Sequence, residues 1–345
     1  MPLRSLSFRG DREIARMRTR SVGIDLVRAV SVIYIIGYWH LLGYSEHFVP
    51  LANGLTGRLT LVVLGLFVFV PGYLMGRKDI RLTREGLVHF YRQRILRIYT
   101  LYLIAILLFW VLGLSDGITL MKATALASMF LAPALPTLWF ITMIMLYYLS
   151  VPFIRRFSHD ARKLTVFCLA IMAVSLLYHK FTNMLDIRMV MFFPVFALGM
   201  YAARREAGLQ PVKLVTLACI CALSCVLSLL PVGSWMISQL ILIPMITLCA
   251  LFLFLAVQRK ESGIRYGAAI QLVGYSSYCM YLFHRPLYEL MKRTYLPQGP
   301  LNQLLYLTLI CVPLLIGASF LIQTGYDRLL AELSGRRVGA GISLS

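Results

Sequence analysis

Ten strongly apolar segments recur along this chain, and each is long enough to cross a lipid bilayer. An α-helix needs about 17 or more predominantly apolar residues to span roughly 30 Å of hydrocarbon. The segments are 24–42, 59–76, 98–114, 137–154, 164–179, 187–203, 213–230, 236–257, 269–290 and 303–324. A backbone inside the bilayer must satisfy its own hydrogen bonds, so each segment is expected to be helical. The sequence predicts an all-α membrane protein with about ten transmembrane helices.

The composition agrees with this class, because 59% of the 345 residues are hydrophobic and only 14% are charged. So few charged side chains cannot cover the surface of a soluble protein of this length. A further apolar stretch, 118–131, is shorter and is followed by Pro133 and Pro136. We interpret this stretch as an interfacial or re-entrant element rather than as a span.

Basic residues are distributed asymmetrically between alternate loops. If the N-terminus is cytoplasmic, 26 of the 34 Lys and Arg residues lie in inner segments and 6 in outer segments. This bias predicts that both termini are cytoplasmic. We expect a basic tail at 1–23, a membrane domain at 24–325, a second tail at 326–345, and a multi-pass location in a cell inner membrane or plasma membrane.

Several classes of function are disfavoured. The net charge of +20 is explained by anchoring beside anionic membrane lipid, and no basic stripe interleaved with aromatic residues indicates nucleic-acid binding. All seven cysteines lie within the expected spans, so we expect no disulfide framework and no metal site. The sequence has no P-loop, dinucleotide fingerprint or nucleophile elbow. Any chemistry must use the few polar groups inside the helices.

Two ionisable residues, Arg28 and His40, lie in the first span. An intramembrane arginine costs roughly 2.5–3.5 kcal/mol on insertion scales, so it usually faces a wet cavity and has a function. Twelve helical residues place His40 roughly 18 Å beyond Arg28 along the axis. The structural alternatives are that Arg28 extends to the headgroups or pairs with Asp25, and that His40 belongs with Trp39 to an interfacial aromatic belt.

Six stretches of the sequence follow the order of motifs in a known family. They are Ile24–Ser31 with Trp39-His40, Phe67–Leu74, Phe90–Tyr99, Leu138–Phe140 with Tyr147, Tyr148 and Pro152, Phe196–Met200, and Gly274–Pro286. Over about residues 22–325 the chain resembles the acyltransferase-3 family of membrane O-acyltransferases.

The resemblance implies an O-acetyltransferase that uses acyl-CoA, most often acetyl-CoA, as donor without a metal. The acceptor would be a hydroxyl of an envelope polysaccharide or its lipid-linked precursor. The implied catalytic residues are His40 and Arg28, the implied donor-binding residues are Arg94, Arg97 and Tyr99, and the implied substrate-binding residues are Trp139, Tyr281 and His284. Whether His40 is a general base or carries the acyl group transiently stays open.

Structural alternatives remain for two of these groups. The cluster of Arg92, Arg94 and Arg97 also matches positive-inside anchoring. His284 precedes Pro286, which removes a backbone donor from its helix, so this histidine also suits a structural role.

The spacing in the first helix departs from the family. The family has ten residues between the Arg and the His, whereas eleven separate Arg28 from His40. At about 100° per residue, the two side chains would lie about 120° apart around a regular helix. A π-bulge would restore their alignment, and we predict one between about Ile33 and Tyr38. Three further departures, which indicate a subgroup, are Pro71, Thr100 and Ile144 where the family often has Ser, Pro and Glu.

A transporter or flippase for a polar glycolipid is the alternative function, because intramembrane Arg and His residues also line transport paths. The paired, interrupted short helices that are typical of inverted repeats are not evident in the sequence.

Overall fold

The computed structural model describes residues 21–205, 213–260 and 267–333. In these residues the chain is helical and contains no strand, which confirms the expected all-α class. The helices are α1 (Val22–Tyr34), α2 (Gly54–Arg77), α3 (Arg84–Arg94), α4 (Thr100–Val111), α5 (Gly117–Thr124), α6 (Trp139–Phe157), α7 (Ala161–Thr182), α8 (Arg188–Arg204), α9 (Leu214–Leu227), α10 (Trp235–Arg259), α11 (Ala268–Thr294), α12 (Pro300–Leu305) and α13 (Val312–Leu333).

Seven helical segments of the described chain are long and apolar enough to cross a membrane. They are Val22–Tyr44, Gly54–Arg77, Arg84–Val111, Trp139–Phe157, Ala161–Thr182, Trp235–Arg259 and Pro300–Leu333. The other three expected spans coincide with α8, α9 and α11, which have 17, 14 and 27 residues. The last helix continues to Leu333, beyond the expected end of its span at residue 324. Most of the two expected tails lies outside the described residues.

Side-chain caps fix the starts of the helices that surround the candidate site. Ser21 accepts a hydrogen bond from the backbone N–H of Ile24 at the start of α1. Asn53 and Thr56 form a reciprocal capping box at the start of α2. Such caps satisfy backbone donors that have no partner within the helix, and each typically contributes about 1 kcal/mol.

A π-helical turn interrupts the first membrane segment at Ile35–Trp39. The backbone N–H of His40 donates to the carbonyl of Ile35 at 2.8 Å, so this turn closes over five residues. The π-bulge predicted from the spacing of Arg28 and His40 is therefore confirmed. Similar turns join α3 to α4 at Ile95–Tyr99 and α12 to α13 at Tyr306–Cys311.

Glycines bring α2 and α8 into backbone contact. A Cβ atom added to Gly72 would lie 2.3 Å from the carbonyl oxygen of Phe196, and one added to Gly199 would lie 2.4 Å from that of Phe69. Gly76, one turn beyond Gly72, is equally close to α8. This is small-residue packing of the kind that membrane helices use. The family motifs at Gly72 and Gly199 thus hold two helices together.

Helix α11 packs against both α1 and α13. One close contact with α1 is at Gly274, where an added Cβ would lie 3.0 Å from the carbonyl oxygen of Asp25. Because α1 and α11 run side by side from this contact, the distal parts of the two helices also meet. Those parts carry His40 and His284.

The stretch around α5 does not cross the bundle. This helix has only eight residues, and it packs back against α4, because Tyr99 and Tyr102 donate to the carbonyls of Thr124 and Ala123 at 2.6 and 3.2 Å. The following loop is tied to the α7–α8 connection by a bond from the N–H of Asp186 to the carbonyl of Met129. This tie brings the start of α6 beside the start of α8.

Candidate active site

A cavity of about 190 Å³ lies where the π-turn and His40 after α1 meet α2, α6, α8 and α11. Its lining includes His40, Trp139 and Tyr281, three of the residues implied by the sequence, together with Thr60 and Arg188. Pockets that enclose drug-sized ligands usually measure about 300–1,000 Å³. This cavity therefore suits a small group rather than a drug-sized ligand.

Arg28 and His40, on the two sides of the π-turn, each lie near a residue of α6. His40 shares the cavity with Trp139, the first residue of α6. Arg28 is half-buried and interacts electrostatically with Tyr148, further along the same helix. Tyr148 is the ninth residue after Trp139 in this helix, which places it roughly 14 Å further along the axis. Helix α6 thus connects the surroundings of the two implied catalytic residues.

The imidazoles of His40 and His284 stack, with centroids 4.5 Å apart and planes inclined by 5°. His284 Nδ1 lies 2.7 Å from the carbonyl oxygen of Tyr281, which only accepts, so Nδ1 carries the proton in neutral His284. Nδ1 of His40 and Nε2 of His284 are buried without a hydrogen-bond partner in the described residues. Two charges at this separation would repel by about 4 kcal/mol at an effective dielectric constant of about 20. The stack therefore opposes simultaneous protonation of the two rings, and a neutral His40 is the form that a general base requires.

Tyr281 forms an aromatic wall of the cavity. Its ring packs 5.1 Å from that of Phe140 and 6.1 Å from that of Phe67. Its hydroxyl donates to the carbonyl of Thr137 at 2.8 Å. Tyr281 can therefore contribute to substrate binding through the shape of its ring, because its hydroxyl proton is already donated to the carbonyl of Thr137.

Arg188 is the cation among the residues that line the cavity, and the sequence did not single it out. Its Nε donates to Asp186 Oδ1 at 2.8 Å, its Nη2 donates to Oδ2 of the same carboxylate, and its Cζ lies 3.9 Å from the centre of the Trp139 ring. The sequence alone identifies Arg188 only as a basic residue of an outer loop. The contact with Trp139 joins two separate helices, so no local pattern marks it.

A second cluster of polar groups surrounds Arg94, which is only 9% exposed. The guanidinium lies over the rings of Phe90 and Tyr148, at 5.3 and 5.5 Å. Its Nε and Nη2 are buried without a hydrogen-bond partner in the described chain. A buried cation whose donors are unsatisfied is costly. The arrangement therefore suits an anionic ligand that binds beside Tyr148.

Two further basic residues, Lys78 and Arg97, lie near Arg94. Lys78 is exposed at the surface, but partial desolvation of its ammonium group, together with the positive charges of Arg94 and Arg97, lowers its pKa to about 8. Arg97 is exposed. We call Lys78, Arg94 and Arg97 the Arg94 cluster.

The structure thus sorts the implied residues into two places. His40, Trp139, Tyr281 and His284 lie in or against the cavity, whereas Arg28, Arg94 and Arg97 lie toward the Arg94 cluster. The hydroxyl of Tyr99 donates to the carbonyl of Thr124, so the structure gives it a role in holding α5. Among the described residues, no group of three or more His, Cys, Asp or Glu side chains is arranged to hold a metal ion.

Comparison of the sequence with protein families gives one result that covers nearly the whole chain. Residues 21–323 match the Acyltransferase domain family. The resemblance inferred from six sequence motifs is therefore confirmed. Comparisons with curated proteins and with solved structures give no match.

Proposed function

The chain belongs to the acyltransferase-3 family, and from this premise we propose that it transfers an acetyl group from cytoplasmic acetyl-CoA to a hydroxyl of a cell-envelope polysaccharide or its lipid-linked precursor. The observation that carries this proposal is the geometry along α6. The cavity with His40 lies at the start of that helix, and the unsatisfied guanidinium of Arg94 lies beside Tyr148, roughly 14 Å further along. An extended pantetheine arm suits such a separation.

The Arg94 cluster supports the donor end of the proposal. An arginine binds two phosphate oxygens at once through its planar fork, and an anion would satisfy the donors of Arg94 that lack partners. Lys78 and Arg97 add charge for the remaining phosphates of the donor.

The cavity supports the transfer end. Its volume of about 190 Å³ favours an acetyl group over a long acyl chain. His40, in its neutral form, accepts the proton of the acceptor hydroxyl while that oxygen attacks the thioester carbonyl carbon. The C–S bond then breaks, and the proton passes from His40 to the leaving thiolate. The ester and free CoA are the two products.

The proposal also fixes a topology. We place ten crossings in the membrane, the seven apolar segments together with α8, α9 and α11, and both termini in the cytoplasm. This arrangement puts the Arg94 cluster on the cytoplasmic side, where acetyl-CoA is available, and the cavity toward the exterior. It matches the excess of basic residues in the inner segments, and it suits a cell inner membrane or plasma membrane.

The test is to incubate the purified protein with acetyl-labelled acetyl-CoA and extracted envelope glycans. We expect an alkali-labile labelled ester on the glycan and one free CoA thiol for each ester formed. His40→Ala should abolish both products while leaving membrane insertion intact. Movement of a glycolipid without any new ester would indicate a flippase and would contradict the proposal.

A further inference from the structure

Few polar groups of the cavity are available to a bound ligand. The hydroxyl of Tyr281 donates to Thr137, and that of Thr60 donates to the carbonyl of Thr56 at 2.8 Å. His40 and Arg188 are the remaining ionisable side chains of the lining. The proposed reaction assigns a proton transfer to His40 and leaves Arg188 without a role.

Arg188 is held in one orientation by two partners, the Asp186 carboxylate and the Trp139 ring. Asp186 occupies its Nε and Nη2, and the Trp139 ring covers one face of the guanidinium at 3.9 Å. The carboxylate is itself fixed, because Asp186 Oδ1 also accepts from the backbone N–H of Arg188 at 3.1 Å and its own N–H donates to Met129. Asp186 takes two of the five guanidinium N–H donors, which leaves both hydrogens of Nη1 and one of Nη2 for a ligand. Such a cation is preorganised, since it needs no rearrangement when charge develops nearby.

Acyl transfer creates a negative charge, which the positively charged Arg188 guanidinium can stabilise. When an alcohol oxygen adds to a thioester, the carbonyl oxygen becomes an oxyanion. Fixed donors aimed at an oxyanion are often the largest single contribution to catalysis, and removal of one donor typically costs about 10²–10³-fold in rate. The half-buried position of Arg188 in the cavity strengthens the effect, because a lower local dielectric weakens screening.

We propose that Arg188 is a catalytic residue whose Nη1–H groups stabilise the oxyanion of the acyl group, with Asp186 and Trp139 as its positioning residues. The inference rests on the proposed acyl transfer and adds a second participant to it. As the acceptor oxygen bonds to the carbonyl carbon, His40 takes the hydroxyl proton and Nη1 donates to the negatively charged oxygen. The carbonyl then re-forms, the C–S bond breaks, and the thiolate takes the proton from His40.

The test compares Arg188→Met, Arg188→Lys and Asp186→Asn in the purified full-length protein, with labelled acetyl-CoA as donor and extracted envelope glycans as acceptor. We expect Arg188→Met to lower kcat by about 10²–10³-fold without changing the affinity for acetyl-CoA or the KM for glycan. Arg188→Lys should lose nearly as much, because an ammonium lacks the planar fork that Asp186 holds. Asp186→Asn keeps the cation but loosens it, so its kcat should fall by less than that of Arg188→Met.

Arg293→Met is the matched control. Arg293 bonds Glu289 at 3.1 Å and the carbonyl of Leu112, is exposed, and does not line the cavity. Its kcat should equal that of the wild type. Thermal unfolding of every variant checks folding, and Asp186→Asn tests the same claim with the Arg188 side chain in place.

Three outcomes would overturn the inference. The first is an unchanged kcat in Arg188→Met alongside an inactive His40→Ala, which would refute the role of Arg188 and leave the proposed function standing. The second is a raised glycan KM with an unchanged kcat, which would make Arg188 an acceptor anchor. The third is a wild-type protein that releases neither ester nor thiol from acetyl-CoA, which would refute the proposed function and the inference with it.

Discussion

The π-turn at Ile35–Trp39 leads to a sharp prediction about deletion of Gly37. A π-bulge contains one residue more than a regular helix, so removal of one residue should return this turn to α geometry. The step from Arg28 to His40 would then be eleven residues, which places the two side chains about 20° apart around a regular helix. His40 would keep its direction into the cavity. We expect the deletion variant to retain at least about a tenth of the wild-type kcat, which corresponds to a barrier increase of about 1.4 kcal/mol.

The matched variant is insertion of one alanine after Gly37. The insertion turns His40 by roughly a further 100° relative to Arg28. We expect it to lose the contribution of a general base, which is about 10²–10⁴-fold in rate. Ester formation from acetyl-CoA measures both variants, and equal loss of activity in the two would refute the idea that the bulge aims His40.

Three further predictions concern the donor end and the bundle. Arg94→Lys should weaken acetyl-CoA binding despite its unchanged charge, because lysine lacks the planar fork; an unchanged Kd in a calorimetric titration would contradict the donor assignment. Lys78, with a pKa of about 8, is charged below that pH and neutral above it, so acetyl-CoA affinity should fall between pH 7 and pH 9, by about fivefold if the bound phosphates raise this pKa by one unit. Lys78→Gln should flatten that dependence, and equal slopes in the two proteins would exclude Lys78. Gly72→Ala places a methyl group 2.3 Å from the Phe196 carbonyl oxygen. Thermal unfolding should show a loss of about 1–3 kcal/mol of stability. The control Gly317→Ala, where the added methyl group has open space, should leave the stability of the protein unchanged.

Two features of the structure follow directly from the sequence. The lengths of the apolar segments predict the seven helical segments of the described chain that are long and apolar enough to cross a membrane, because the hydrocarbon thickness sets that length. The eleven residues between Arg28 and His40 predict the π-turn, because a regular helix would point the two side chains in different directions. Both inferences rest on distances along a single helix, where sequence spacing converts directly into geometry.

Features that depend on contacts between helices could not be predicted in the same way. The stack of His40 on His284 depends on the packing of α1 against α11 at Gly274. The position of Arg188 against Trp139 depends on the loop before α6 and its tie to Asp186. Sequence patterns mark these residues as polar or aromatic, but they do not give the distances between helices.

The central claim is that one acetyl-CoA molecule extends along α6 from the Arg94 cluster to the cavity at His40. A cryo-electron-microscopy structure with a non-transferable thioether analogue of acetyl-CoA tests it most directly. We predict phosphate oxygens within about 3 Å of the Arg94 guanidinium and the acyl group in the cavity between His40 and Arg188. An analogue whose phosphates bind away from Arg94, or whose acyl group lies outside the cavity, would contradict the account.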